Sequence, residues 1–268
     1  MRINLNDGRA IPQLGLGLWQ TSNAAEIVAA ALETGYRHFD TAAIYGNEAE
    51  VGQGLRAARR EDIFVTTKVW NDAQGFDSTL KACRESLTRL SLDYVDLYLV
   101  HWPAPRRDLY VDTWRALIRL REEGLARSIG VSNFEPEHIE RIVAETGVTP
   151  AINQIELHPR FQQNRLRDFH AKHGIATESW APLGRAQVLS DPVIAGIASK
   201  HARTPAQVVV RWHMDEGLVV IPKTSRRERL RENFAVFDFA LDAADLAAIA
   251  ALDSPQGRIG PSGLTATF

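Results

Sequence analysis

Phe64-Val65-Thr66-Thr67-Lys68, then Leu80, Cys83, Leu87 and Leu90, then Val95-Asp96-Leu97-Tyr98-Leu99-Val100: this stretch carries a strand, a helix and a second strand in succession. The two outer runs are short, apolar and rich in β-branched or aromatic residues, as buried strands are. The middle positions are spaced three, four and three apart, which lines them along one face of a helix. Cys83, the only cysteine, falls on that face and reads as core filling, and no intrachain disulfide or thiolate metal cluster can form.

Working outward, the same alternation repeats. Further strand candidates are Gln13 to Leu16, His38 to Asp40, Ser128 to Val131, Ile152 to Glu156, Ala176 to Trp180 and Val219 to Ile221, which makes eight in all. Helices with readable ends lie between them. Asn23 and Glu26 predict a capping box before Ile27, Val28, Ala31 and Leu32, with Gly35 as the stop. Pro136 opens another helix, with Ile139, Ile142 and Val143 inward and Gly147 ending it. Repeated strand and helix units predict a parallel sheet covered on its outer face, and eight of them predict closure into a (β/α)8 barrel. Such a barrel commonly fills about 250 residues as one unit, so residues 1–268 are expected to form a single domain. Asp7-Gly8 between two short apolar runs predicts a hairpin closing one end, and the turn-rich stretch from Ser254 to Gly263 predicts a tail over the barrel mouth.

Composition excludes several function classes. A net charge of -2 leaves no broad basic surface for nucleic acid, and the Arg226 to Arg231 cluster is interrupted by Glu228. Met1 to Gly8 lacks the apolar stretch of a signal peptide and no segment is apolar enough to span a bilayer, so a cytoplasmic protein is expected. Nothing resembles a coiled coil, and a monomer is the default.

In such barrels the chemistry gathers at the carboxyl ends of the strands. Asp40 closes the second strand, Tyr45 follows in its loop, Lys68 closes the third and His101 the fourth. Each has a structural alternative when taken singly: a helix cap, a surface ring, a surface ammonium, a satisfied histidine. Together they suggest proton delivery. A phenol is a poor acid near neutrality; Lys68 would stabilise its anion, Asp40 would keep Lys68 charged, and His101 would hold a carbonyl oxygen nearby. No side chain provides a hydride, so a cofactor is implied. Gly15-Leu16-Gly17-Leu18-Trp19-Gln20 is not its phosphate loop, because Gln20 replaces the last glycine and no Rossmann unit follows. After the eighth strand, Lys223, Thr224, Ser225 and Arg229 stand at the start of a helix, where two cations and two hydroxyls suit a 2′-phosphate. NADPH/NADP+ is therefore the expected cofactor. Trp19, Trp70 and Trp102 follow strand ends and could wall an apolar pocket for a small carbonyl substrate.

The chain resembles the aldo-keto reductase family over essentially its whole length. The likeness rests on Gly35-Tyr36-Arg37-His38-Phe39-Asp40-Thr41-Ala42 with Tyr45-Gly46-Asn47-Glu48, Asp96 to Pro103, Gly130-Val131-Ser132-Asn133-Phe134, Asn153 to Pro159 and Ile221-Pro222-Lys223-Thr224. Ser179 to Gly184 and Gly257 to Pro261 resemble the bacterial branch of 2,5-diketo-D-gluconate reductases. The resemblance implies a (β/α)8 barrel whose catalytic tetrad is Asp40, Tyr45, Lys68 and His101. It also implies that Ser132, Asn133 and Gln154 hold the nicotinamide carboxamide and that Trp180 stacks on the ring. Lys223, Thr224, Ser225 and Arg229 would take the 2′-phosphate, Glu232 and Asn233 the adenine side, and Leu183, Gly184 and Ala206 the pyrophosphate. The implied activity is reduction of aldehydes or ketones, with keto-sugar acids, methylglyoxal and aromatic aldehydes all open. Two other readings are a nicotinamide redox sensor with little turnover, and a metal-assisted barrel enzyme using His101, His158 and Glu156. The second lacks enough carboxylates at neighbouring strand ends, and no metal is expected.

Overall fold

A computed structural model describes residues 1–266; the last two residues of the expected domain, Thr267 and Phe268, lie outside the described residues. The chain opens with β1 (Arg2–Asn4) and β2 (Ala10–Pro12), then runs β3 (Leu16–Gly17), α1 (Ala24–Thr34), β4 (His38–Asp40), α2 (Glu48–Leu55), β5 (Phe64–Val69) and α3 (Phe76–Leu90). It continues β6 (Val95–Val100), α4 (Tyr110–Glu122), β7 (Ala126–Ser132), α5 (Pro136–Thr146), β8 (Ile152–Glu156), α6 (Asn164–Lys172) and β9 (Ala176–Trp180). Last come α7 (Pro192–Lys200), α8 (Pro205–Asp215), β10 (Val219–Val220), α9 (Arg227–Phe234) and α10 (Ala243–Ala250).

Strands β3 to β10 pair in parallel, each with the next in sequence. The sheet closes on itself where Leu14 bridges Val220 and Gly17 bridges Lys223, giving the expected (β/α)8 barrel. At this seam the Gly15 N–H donates to the Val220 carbonyl at 2.9 Å, and the Val220 N–H donates to that of Gln13 at 2.8 Å. Gly17 is required by the closeness of the chains, since a Cβ there would lie 2.8 Å from the Ile221 carbonyl oxygen. The expected strand from Gln13 to Leu16 is thereby corrected. Pairing with β10 begins at Leu14 but pairing with β4 only at Leu16, so the regular strand is Leu16–Gly17.

The hairpin β1 and β2 pairs Ile3 with Ile11 and turns through Gly8 at φ 84. Leu5 and Ile11 pack with Phe64, Ile152 and Val219 from the starts of the barrel strands, which plugs the amino end. The outer helices bury their apolar stripes on the barrel. Trp114 of α4 and Trp212 of α8 are fully buried, and burial pushes the Cys83 thiol up to about 12, consistent with a packing role. Helix α5 starts and stops as expected, with the Glu135 N–H donating to His138 Nδ1 at 3.1 Å and Gly147 in the left-handed region.

The start of α1 departs from expectation. Asn23 sits at φ 56 and its side chain caps nothing, so there is no capping box with Glu26. The Glu50 carboxylate of α2 accepts from the Ala24 N–H at 2.8 Å instead. A charged acceptor from a neighbouring helix has replaced the local one, and it also suits the positive end of the α1 dipole.

Candidate active site at the carboxyl end of the barrel

The ends of β4, β5 and β6 bring Asp40, Lys68 and His101 together, with Tyr45 delivered by the 3-10 turn Ala43–Tyr45 that follows β4. Lys68 is fully buried and donates to Asp40 Oδ1 at 2.6 Å and to the Thr41 carbonyl at 2.9 Å. Its Nζ lies 5.2 Å from the centroid of the Tyr45 ring. Burial opposes the Lys68 charge, but Asp40, Tyr45 and Glu178 outweigh it and hold the ammonium above the usual lysine range. Burial pushes the Tyr45 phenol above its ordinary value, while the charge and hydrogen bond of Lys68 pull the other way. Tyr45 thus keeps its proton at neutral pH, and the nearby cation waits to stabilise the anion.

His101 stands edge-on to Tyr45, ring centroids 5.8 Å apart, and edge-on to Trp70 at 5.0 Å. Burial, reinforced by the Lys68 charge, holds its pKa well below the usual histidine value. The imidazole is therefore neutral and carries one ring proton, which suits it to donate a hydrogen bond rather than to compete with Lys68 for charge.

Beneath this group lies a polar floor. Gln154 of β8 donates from the one amide nitrogen to Asp40 Oδ2 and to Glu178 Oε2, both at 2.8 Å. Glu178 of β9 is fully buried, and its Oε1 has no hydrogen-bond partner among the described residues. Burial and the Asp40 charge push its carboxyl up to about 8. Sequence reading missed Glu178; the available signal was period two, which puts it on the same strand face as Trp180.

At the rim, Ser132 Oγ donates to the Gln154 carbonyl at 2.8 Å, and Asn133 donates from Nδ2 to the His101 carbonyl and to Ser132 Oγ, both at 3.0 Å. Trp180 Nε1 donates to Asn133 Oδ1 at 2.8 Å, which pins the indole. The tail crosses here. Glu156 at the end of β8 accepts from the Ile259 N–H at 2.6 Å and the Gly260 N–H at 2.7 Å. Gly260 passes so close to Trp180 that a Cβ would lie 2.6 Å from the ring, and one at Gly263 would lie 2.0 Å from the Asn133 carbonyl oxygen.

Across the mouth, Lys223 and Arg229 are exposed and enter no salt bridge among the described residues. Thr224 is buried and accepts from the Arg226 N–H at 3.1 Å, while Ser225 is half-buried. Lys223, Thr224 and Ser225 precede α9 and Arg229 lies in its first turn, so exposed cations and hydroxyls flank the helix end that favours an anion. Farther along α9, Glu232 is half-buried and Asn233 buried. Leu183 immediately precedes the 3-10 segment Gly184–Ser190, which Gly184 opens, and Ala206 lies in the first turn of α8. Arg185 from that segment reaches across to Trp19, 5.5 Å from the ring centroid. Of the three expected wall residues, Trp19 is 45% exposed and Trp70 half-buried, but Trp102 is only 7% exposed and its carbonyl accepts from Gln74 at 2.7 Å. His158 and Glu156 stand 3.2 Å apart, yet among the described residues no three His, Cys, Asp or Glu side chains converge as a metal set.

Known proteins resemble this chain in sequence and in fold. An "Aldo-keto reductase" of Mycolicibacterium smegmatis is 55% identical over 271 residues, covering 100% of this chain and 98% of that protein. A "Methylglyoxal reductase DkgA" of Salmonella typhimurium is 54% identical over 266 residues, covering 97% of this chain and 95% of that protein. A crystal structure of a Gox0644 mutant in complex with NADPH superposes with a TM-score of 0.97 at 54% identity, covering 100% of this chain and 99% of that one. The Aldo/keto reductase family model matches residues 13–254, and with those relatives it establishes that the chain belongs to this family.

Proposed function

We propose that this chain is an NADPH-dependent carbonyl reductase in which Tyr45 delivers the proton. The observation that carries the assignment is the Lys68 ammonium, fully buried between Asp40 at 2.6 Å and the Tyr45 ring. A buried cation is costly unless paired. One carboxylate neutralises it, and its remaining influence falls on the phenol.

The residues present fit the cofactor: among the described residues Lys223 and Arg229 enter no salt bridge and no hydrogen bond reaches Gln154 Oε1. Lys223, Thr224, Ser225 and Arg229 would hold the 2′-phosphate, and Leu183, Gly184 and Ala206 would lie along the pyrophosphate. Glu232 would face the adenine; Asn233, 3% exposed, has little surface to offer it. Ser132, Asn133 and Gln154 would meet the carboxamide, with Trp180 against the ring. When bound, NADPH supplies the hydride that no side chain can. The neutral His101 donates a hydrogen bond to the substrate carbonyl oxygen, orienting it toward Tyr45. Tyr45 gives its proton to that oxygen as negative charge develops, and Lys68 stabilises the phenolate left behind.

Trp19 and Trp70 at the mouth suit a small or medium carbonyl compound. The Salmonella relative is named for methylglyoxal, which makes small oxoaldehydes the first class to try. No helix among the described residues is long and apolar enough to cross a membrane. We take the working form to be a cytoplasmic monomer, with residues 1–268 acting as one domain.

The test is NADPH oxidation with methylglyoxal and a panel of aldehydes and keto acids, beside NADH and beside Tyr45→Phe. The variant keeps the ring and loses the transferable proton, so turnover should fall by about 100-fold or more while NADPH affinity changes little. Near-normal reduction by Tyr45→Phe would remove Tyr45 as the acid; equal rates with NADH and NADPH would remove the 2′-phosphate assignment.

A further inference from the structure

Gln154 and Glu178 face each other across β8 and β9, paired directly in register. Asp40 reaches Gln154 from β4, on the other side of the barrel interior. The side-chain amide of Gln154 has two N–H groups on one nitrogen. Asp40 Oδ2 and Glu178 Oε2, each 2.8 Å away, accept one apiece. One acceptor would choose which end of the amide points inward but would leave its plane free to pivot. Two acceptors from different strands fix the plane as well, and they turn Oε1 away from both carboxyls.

We propose that Glu178 is a positioning residue for cofactor binding: with Asp40 it locks the Gln154 amide so that Oε1 is presented as an acceptor to the nicotinamide carboxamide N–H. This rests on the cofactor reading above and adds to it a residue that touches neither cofactor nor substrate.

The electrostatics suit the role. The charges of Lys68 and Asp40 offset each other, and a second carboxylate would leave the dry interior with an unbalanced negative charge. The groups facing Glu178 are Asp40 and His38 of β4, Lys68 of β5 and Tyr45. His38 Nε2 stands 3.6 Å from Oε1, and burial holds that imidazole neutral by lowering its pKa to about 3. With its own pKa near 8, Glu178 is a neutral carboxyl at neutral pH, whose carbonyl oxygen accepts from Gln154 without adding charge.

Binding separates this role from general structural support. Below the Glu178 pKa of about 8, the affinities of NADP+ and of its 3-acetylpyridine analogue, which lacks the carboxamide N–H, are measured for four proteins. A hydrogen bond of ordinary strength gives the wild type a preference for NADP+ of roughly three- to tenfold. Glu178→Met, similar in length but without an acceptor, should bring that ratio close to one. Glu178→Gln, whose side-chain oxygen can still accept, should restore it. Gln154→Ala is the control and should also lie near one.

A full preference retained in Glu178→Met overturns the proposal, as does a Glu178→Gln ratio as low as that of Glu178→Met. If Gln154→Ala keeps the preference, the carboxamide assignment itself fails, which is a different result. Should Glu178→Met not fold, Glu178→Ala takes its place under the same two criteria.

Discussion

Glu178 is also where a single residue sets a dependence of stability on pH. Burial raises its pKa from the usual 4.5 to about 8, so folding favours the neutral form. Its contribution is fully present below pH 4.5, declines as the pH rises from there, and is lost above pH 8. Glu178→Gln removes that dependence. The stability of the variant relative to wild type should therefore climb between pH 4.5 and 8 by an amount on the order of a few kcal/mol and level off above, read as a growing difference in melting temperature. A difference that stays flat across that window would show that the carboxyl ionises as freely in the fold as out of it. The convergence of Asp40, Tyr45, Lys68 and His101 was legible because side chains at the carboxyl ends of barrel strands gather at one mouth. Glu178 was not: an acidic residue in a five-residue strand reads as solvent-facing until its burial against Gln154 and Asp40 is known. Asn23 failed in the opposite way, since the motif was present but the cap came from Glu50, which local sequence cannot reveal.

Among the elements, the tail depends on a clamp contributed by one strand end. Burial opposes the charge of Glu156, but hydrogen bonds from His158 and from the Ile259 and Gly260 N–H groups prevail and hold its pKa below the usual glutamate value. The clamp is complete above the ordinary glutamate range and is lost only as the pH falls through that lower value. Glu156→Gln removes the charge and puts an N–H donor against one of the tail donors. Because hydrogen bonds to charged groups are worth about 1.5–3 kcal/mol, amide exchange at Ile259 and Gly260 should quicken by roughly 10- to 100-fold. Protection unchanged at both amides would mean that packing against Trp180 holds the tail unaided. Sequence reading placed the tail over the mouth from its turn-rich composition. It could not foresee the clamp, because Glu156 suggested only a carboxylate available to a metal.

For the whole molecule, closure of the barrel depends on a seam where side chains would intrude. A Cβ at Gly17 would meet the Ile221 carbonyl oxygen at 2.8 Å, a backbone atom with no flexible end to move aside. Gly17→Ala should destabilise the fold by about 1–3 kcal/mol through overpacking, seen as a lower urea midpoint. A midpoint equal to wild type would mean the seam can widen without loss. Eight units of alternating strand and helix were enough to read the barrel from the sequence. The seam's register was not, because Leu14 pairs on one side and Leu16 on the other, and a short apolar run does not disclose such an offset.

The tail is held by the N–H groups of residues 259 and 260, and its glycines 257, 260 and 263 pass tightly over their neighbours. Anchorage of this kind belongs to the main chain. Leu264, already 47% exposed, can therefore be exchanged without dislodging the segment that carries it, whereas the Arg258 guanidinium lies 4.5 Å over the Phe161 ring and Ser262 Oγ accepts from the Leu264 N–H. A library of variants at Leu264, with the three glycines kept, would change the lip of the barrel and leave its main-chain attachment intact, so that what the mouth admits could diversify independently of the machinery inside it.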